Sequence, residues 1–247
     1  MNRTPFVFIV FLNLVLIKGK DVTPKNDLER KMLYLVDKWR TGDLDALPYP
    51  MPPLDEWRMP PFEGKYNGLG LQMTFSTTGM LITGLNNFTI TEMNISEENL
   101  EASVVLNYPF VNMEADNYKL NGRAYVVYKL RGSGRMNVRV RNTKLVFGFR
   151  VNNNGSKPVV DDLQLDYEIE SLEVDLENSS WPINKILNTE GLKIMNKHHD
   201  NIITQTRTNM IEFLNEFLLE MPPERFFAIM ETVNCSCLEG TTITPLE

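Results

Sequence analysis

From residue 64 to residue 176 the sequence alternates apolar and polar side chains, and no helical repeat falls inside that span. β-Branched and aromatic residues recur at period two over 66–75, 80–95, 100–106, 117–129, 135–151 and 162–176. That is the pattern of strands with one buried and one wet face. Turn chemistry separates them at Thr77-Thr78-Gly79, at 112–116 and at Asn152-Asn153-Asn154-Gly155. Strands that follow one another without a crossover helix pair antiparallel, so the centre of the chain is one long antiparallel sheet.

Helical periodicity flanks the sheet on both sides. Over 27–39, Leu28, Met32, Leu35, Val36 and Trp39 recur at spacings of three and four between charged residues. Asn26 or Asp27 can cap this helix, and Thr41-Gly42 can end it. Four prolines in 47–54 then hold the chain extended. Pro182 starts a short helix at 181–187, and a long helix is predicted over 189–221. Met195, His199, Ile202, Met210, Phe213, Phe217 and Met221 trace one stripe along it, Ile203, Leu214 and Leu218 widen the stripe, and Pro222-Pro223 stop the helix. At 1.5 Å per residue it extends roughly 48 Å, longer than a face of a compact domain of this size. So broad a stripe needs a cover, and the sheet is the available one. The expected architecture is α+β: a long C-terminal helix wrapped by a strongly curved antiparallel sheet over 64–176, with an N-terminal amphipathic helix.

The stretch Lys-Leu-Arg-Gly-Ser-Gly-Arg-Met-Asn-Val-Arg-Val, 129–140, raises a separate question. It sets Gly132 and Gly134 among Lys129, Arg131, Arg135, Arg139 and Arg141. A phosphate cradle uses a helix N-terminus after the glycines, and no helix follows here. Met136, Val138 and Val140 alternate with the basic residues, so the stretch reads as a strand with one apolar and one basic face. The glycines then mark a turn or bulge where the sheet bends. The cations form a candidate surface patch for a receptor, a glycan or an anionic membrane.

No constellation for catalysis emerges. There is no Gly-x-Ser-x-Gly elbow, no Gly-x-Gly-x-x-Gly and no P-loop. His198 and His199 are the two histidines and lie mid-helix without a nominated nucleophile. The carboxylates at Glu168, Glu170, Glu173, Asp175 and Glu177 alternate with apolar residues as a half-wet strand does. Cys235 and Cys237 are the only cysteines, too few for a disulfide framework and without the partners of a metal site. A strained local bridge, an intermolecular bridge and two free thiols all remain open for that pair. The chain is expected to be no enzyme and to hold no cofactor and no metal.

The opening residues bound the compartment. Arg3 followed by twelve apolar-rich residues, 6–17, and a small residue at Gly19 has the layout of a secretory signal peptide over 1–19. A span of twelve is shorter than the roughly 20 residues that cross a bilayer. Residues 20–247 are then one secreted, extracellular domain without stable membrane insertion. Without 1–19, which hold Arg3 and Lys18, the 25 basic residues fall to 23 against 32 acidic ones, a net charge of −9. Such a chain is a poor nucleic-acid partner. Sequons at Asn87, Asn94, Asn154, Asn178 and Asn234 fit a glycoprotein.

The middle of the chain resembles a known family. Tyr118-Lys-Leu-Asn-Gly122, an apolar strand and then Gly132-Ser-Gly134 are similar to the core signature of the insect haemolymph juvenile-hormone-binding and takeout-like family. The proline-rich segment 47–55 resembles that family's approach to its first strand, and 178–187 resembles the segment before its long helix. The resemblance implies a tubular lipid-binding fold, shared with the mite group 7 allergens, and a small lipophilic ligand such as a terpenoid hormone, a fatty acid or another lipid in an internal tunnel. It also implies a cysteine pair near the N-terminus, which this chain lacks between 21 and 61. The thirteen methionines suit an adaptable apolar wall. Met32, Leu35, Trp39, Met195, Ile202, Met210, Phe213 and Phe217 are the candidate wall residues. The alternative function is a solid-cored recognition protein that uses the basic strand 129–141.

Overall fold

The computed structural model describes residues 22–68, 71–124, 128–153 and 157–235. The leader over 1–19, the sequon at Asn154, Ser236 of the fifth sequon and Cys237 lie outside the described residues.

The architecture is α+β with one large antiparallel sheet. Helix α1 spans Asp27–Arg40, and a short 3-10 turn follows at Leu44–Ala46. Eight strands come next: β1 Glu56–Met59, β2 Phe62–Gly68, β3 Leu71–Thr77, β4 Met80–Thr83, β5 Thr89–Ser96, β6 Glu101–Ala124, β7 Tyr128–Asn152 and β8 Val159–Leu176. Three helices complete the described chain: α2 Ile183–Lys197, α3 His199–Glu220 and α4 Pro223–Thr232.

The long strands β6, β7 and β8 form the spine. β7 pairs with β6 on one edge and β8 on the other along most of its 25 residues. The second edge of β6 is covered in turn by three short strands with gaps between them: β5 opposite 101–107, β4 opposite 112–114 and β3 opposite 118–124. β1 extends β4, and β2 extends β3. Helix residues Met210, Leu214 and Leu218 share one buried cluster with side chains from α1, β1, β4, β5, β6, β7 and β8, so the sheet curves around α3.

The segment 112–116, expected as a turn, is uninterrupted strand inside β6. Residues 112–114 are paired on both sides, to Thr83, Ile82 and Leu81 of β4 and to Arg139, Val138 and Asn137 of β7, Ala115 pairs with Met136, and this pairing outweighs the local turn chemistry. Pro109 sits in the same strand without breaking it. It falls in the gap where β5 has ended at Asn107 and β4 begins at Asn112, so its missing N–H disturbs no ladder on that edge. Gly132 and Gly134 also lie within a strand rather than in a turn. The bulge stands opposite them, where the register shifts between Ala115 and Tyr118.

The long C-terminal helix is divided. His198, at φ −111° and ψ 15°, separates α2 from α3. The division lets the helical segments follow the twisted outer edge of β8, which has no strand neighbour on that side. Asparagines take the place of that neighbour. Asn184 Oδ1 accepts from Leu176 N at 3.0 Å and its Nδ2 donates to Leu176 O at 3.2 Å. Asn188 does the same for Val174, at 2.8 and 2.7 Å, and Asn215 Oδ1 accepts from Val160 N at 2.8 Å. An edge that would otherwise present free N–H and C=O groups is thereby closed by side-chain amides.

Candidate functional site: an apolar cavity under the N-terminal helix

Helix α1 is held to the sheet by a buried carboxylate. Asn26 caps the helix, its Oδ1 accepting from Glu29 N at 2.8 Å. Glu29 is only 1% exposed. Its two oxygens accept from Lys25 N at 2.7 Å and from Ile95 N, in β5, at 3.1 Å. Asn26 Nδ2 donates to Ile95 O at 3.0 Å, and Lys25 Nζ donates to Met93 O at 3.2 Å. At the other end of α1, Trp39 Nε1 donates to Pro52 O at 2.6 Å. These bonds tie both ends of the helix without a cysteine in 21–61.

Between α1 and the sheet lies a cavity of about 260 Å³. Its walls come from α1, the extended segment 47–51, the end of β5, the start of β6, the end of β7, the end of α3 and most of α4. Five of the lining residues are methionines (Met32, Met51, Met93, Met221 and Met230) and four are phenylalanines (Phe149, Phe217, Phe226 and Phe227). Glu101 is the only charged lining residue among those described. It sits across the ladder from Arg150. Tyr49 meets the edge of Phe217 with ring centroids 6.3 Å apart.

Of the candidate wall residues, Met32, Leu35, Trp39 and Phe217 line the cavity. Met210 lies outside it, 2% exposed in the main core, and Phe213 packs beside that core. Met195 and Ile202 are half-buried farther up the helices. The apolar stripe of the long helix therefore faces the cavity only over its last turn, Phe217–Met221. Sequence reasoning missed the walls from 47–51 and α4. Their signals were available: alternate apolar residues among the prolines, and Phe226, Phe227 and Met230 after the Pro222-Pro223 stop.

Toward the opposite end of the sheet the described residues form a second packed cluster. Tyr118, 1% exposed, stacks on Phe75 at 6.3 Å and donates its hydroxyl to Glu177 O at 2.7 Å. A Cβ at Gly132 would overlap the Tyr118 hydroxyl, so only glycine fits there. Gly134 takes φ +133°, and a Cβ there would sit 2.8 Å from Glu177 Oε2. Burial, with Asp175 and Glu177 nearby, pushes the Tyr118 phenol up, so it stays a hydrogen-bond donor. Gly132 thus serves the packing of Tyr118, and Gly134 the approach of Glu177.

The basic residues of that stretch separate into two groups. Arg139 and Arg141 share the one carboxylate of Glu173 in β8, at 3.5 and 3.4 Å, which offsets part of their charge. Arg135 faces Glu114, Asp116, Asp175 and Glu177 around one shallow cleft. Lys129 and Arg131 are exposed and make no ion pair with a described residue.

His199 sits at the division between α2 and α3. Its Nε2 is 2.8 Å from Asp166 Oδ1, its Nδ1 is 3.3 Å from Asp200 Oδ1, and its ring lies 4.9 Å from that of Tyr167. The hydrogen bond to Asp200, followed by that to Asp166, raises its pKa against the opposing effect of partial burial. The ring serves as a clasp between α3 and β8. Among the described residues no group of three or more His, Cys, Asp or Glu is arranged to hold a metal, and no helix is long and apolar enough to cross a membrane.

Comparison with known proteins identifies the family. The family model for haemolymph juvenile hormone binding protein matches residues 21–228. No curated protein matches the sequence significantly. Among solved structures, Epiphyas postvittana Takeout 1 is 13% identical, with a TM-score of 0.48 over 67% of this chain and 79% of that one. A lipopolysaccharide binding protein is 10% identical, with a TM-score of 0.31 over 77% of this chain and 37% of that one. With a family model that spans nearly all of the described residues, the chain belongs to the haemolymph juvenile hormone binding protein family.

Proposed function

We propose that this protein is a secreted carrier or scavenger that holds one small lipophilic molecule in the cavity beneath α1. The observation that carries the reading is the wall: about 260 Å³ of space lined by methionine, phenylalanine and aliphatic side chains. That volume is near the lower end of ligand pockets, roughly 300–1,000 Å³. Binding comes from apolar burial, at roughly 25 cal/mol per Å² before ordering costs. Five flexible thioethers let the wall adapt to more than one shape. Membership of the haemolymph juvenile hormone binding protein family supports the ligand class.

The wall also discriminates within that class. Among the described residues no Lys, Arg or His lines the cavity, and the one charged residue that borders it, Glu101, pairs across the ladder with the exposed Arg150. A buried anionic headgroup would find no counter-ion there. A neutral ester, alcohol or terpenoid is therefore favoured over a fatty-acid anion. Met32, Leu35, Trp39 and Phe217 are the proposed contacts, and no catalytic step is part of the role. Exposed Asn87, Asn94, Asn178 and Asn234 fit glycosylation outside the cell.

Native mass spectrometry of the purified protein tests the carrier reading, with lipid extraction alongside. The expected result is a 1:1 adduct with a neutral lipophile, or uptake of a long-chain methyl ester in preference to the free acid. Failure to retain or take up any apolar molecule overturns it.

A further inference from the structure

The far tip of the sheet carries a concentration of charge that the cavity does not explain. Cross-strand register places Lys65, Thr74, Asn121 and Arg131 in one row, and Asn67, Gln72, Arg123 and Lys129 in the next. A third row holds Glu63, Ser76, Lys119 and Ser133. Residues directly opposite in a ladder share a face, and Tyr118 and Leu120 between them are buried, so all three rows point outward. The outer face of the tip thus presents Lys65, Lys119, Arg123, Lys129 and Arg131 against one carboxylate, Glu63. All five cations are exposed, and none makes an ion pair with a described residue. Elsewhere on the sheet several cations meet carboxylates of β8: Arg139 and Arg141 share Glu173, Lys144 pairs with Glu168 and Arg150 with Asp161. This contrast stands out in a chain of net charge −7.

An exposed tryptophan stands at the edge of the same face. Ser180 docks on β7 beyond the end of β8, its N donating to Arg131 O at 2.6 Å and its Oγ accepting from Arg131 N at 3.1 Å. The Ser180 Oγ also donates to Lys129 O at 3.1 Å. The next residue, Trp181, is 87% exposed, whereas Trp39 and Trp57 are 3% and 8% exposed. A solvated indole beside a cluster of unpaired cations combines the two features by which proteins dock on anionic bilayers: an interfacial aromatic anchor and a polybasic surface.

We propose that this tip is a docking surface for the headgroup region of an anionic phospholipid bilayer. Trp181 enters the interface, and Lys129, Arg131, Arg123 and their neighbours face the lipid phosphates. The tip lies about 20 residues along β6 from Ala102 at the cavity, roughly 65 Å at 3.3 Å per residue. Docking therefore leaves the cavity uncovered. The inference stands independently of which molecule the cavity holds.

Vesicle co-sedimentation of the chain produced without N-glycans tests the inference, read together with tryptophan emission. Vesicles of phosphatidylcholine with phosphatidylglycerol are compared with phosphatidylcholine alone. The expected result is salt-sensitive binding to the anionic vesicles only, with a blue shift of the emission that disappears in Trp181→Phe. Lys129→Gln with Arg131→Gln should weaken binding about 20-fold. Arg139→Gln with Arg141→Gln changes the net charge equally and should leave binding within about twofold, because those cations already face Glu173. Equal loss in both double variants, binding to neutral vesicles, or binding to a soluble polyanion but not to vesicles overturns the proposal. Uptake of an apolar ligand should be unchanged in every one of these variants, so failure here and failure of the carrier reading are distinguishable.

Discussion

The two ends of the β6–β7 ladder are built from the same strands, yet the described residues enclose a cavity at one end and pack around a single ring at the other. At the cavity end the cover is assembled from outside the sheet: α1, the proline-held segment 47–51 and α4 bridge over 100–103 and 149–151. Those covers line the space with methionine and phenylalanine side chains. At the other end one ring does the filling. Tyr118 lies over Gly132, stacks on Phe75 and is pinned to Glu177, while Met136, Leu176 and Ile183 close around it. A curved sheet does not by itself make a tunnel. The side chains at each end and the distance of their cover decide whether space remains.

The contrast can be broken most severely at Gly132. A Gly132→Ala methyl would overlap the Tyr118 hydroxyl, and the ring would have to leave its site. We expect a loss of about 3 kcal/mol in chemical denaturation, with ligand uptake retained in whatever fraction stays folded. Glu29→Ala should cost nearly as much at the other end, about 2–3 kcal/mol, because two backbone donors, Lys25 N and Ile95 N, lose their acceptor. This variant should also weaken ligand binding, since α1 is a wall of the cavity. Tyr118→Phe removes one hydrogen bond and keeps the packing. It should cost about 1 kcal/mol and leave ligand binding unaltered, as thermal unfolding and a ligand titration would show.

The smallest expected effect concerns the clasp at His199. Its folded-state pKa is raised, chiefly by the hydrogen bond to Asp200 and then by that to Asp166. A raised cationic pKa adds stability below the ordinary histidine value of about 6.5, and that contribution is lost as pH rises through the folded value. His199→Gln should flatten this portion of the stability–pH profile above about pH 6, the window to follow by denaturation at stepped pH.

The sheet and α1 were legible because their signals are local and repeated. Period two runs through most of 64–176, and α1, predicted over 27–39, spans Asp27–Arg40 with the Asn26 cap in place. The continuity of β6 was not legible. Pro109 and the polar residues of 112–116 announce a break, and only the partners on both edges remove it. The division at His198 was hidden for a similar reason. The apolar stripe continues across it, while the cause lies in the path of β8 and its asparagine contacts. Half of the expected wall, Met32, Leu35, Trp39 and Phe217, lines the cavity. Met195, Ile202, Met210 and Phe213 share the helix stripe but lie beyond the cavity's reach. A stripe records which side is buried and says nothing of what it is buried against.

The central claim is that the space under α1 is a binding site and not slack packing. Fluorescence titration with a neutral long-chain ester probe, in a Trp57→Phe, Trp181→Phe background so that transfer to the probe comes from Trp39 in the wall, tests it most directly. Protein of that background should saturate at one probe per chain, with little dependence on salt, and adding Ala102→Phe, which places a ring into the cavity, should abolish saturation while the protein stays folded. A titration that never saturates, or one that Ala102→Phe leaves unchanged, would contradict the account.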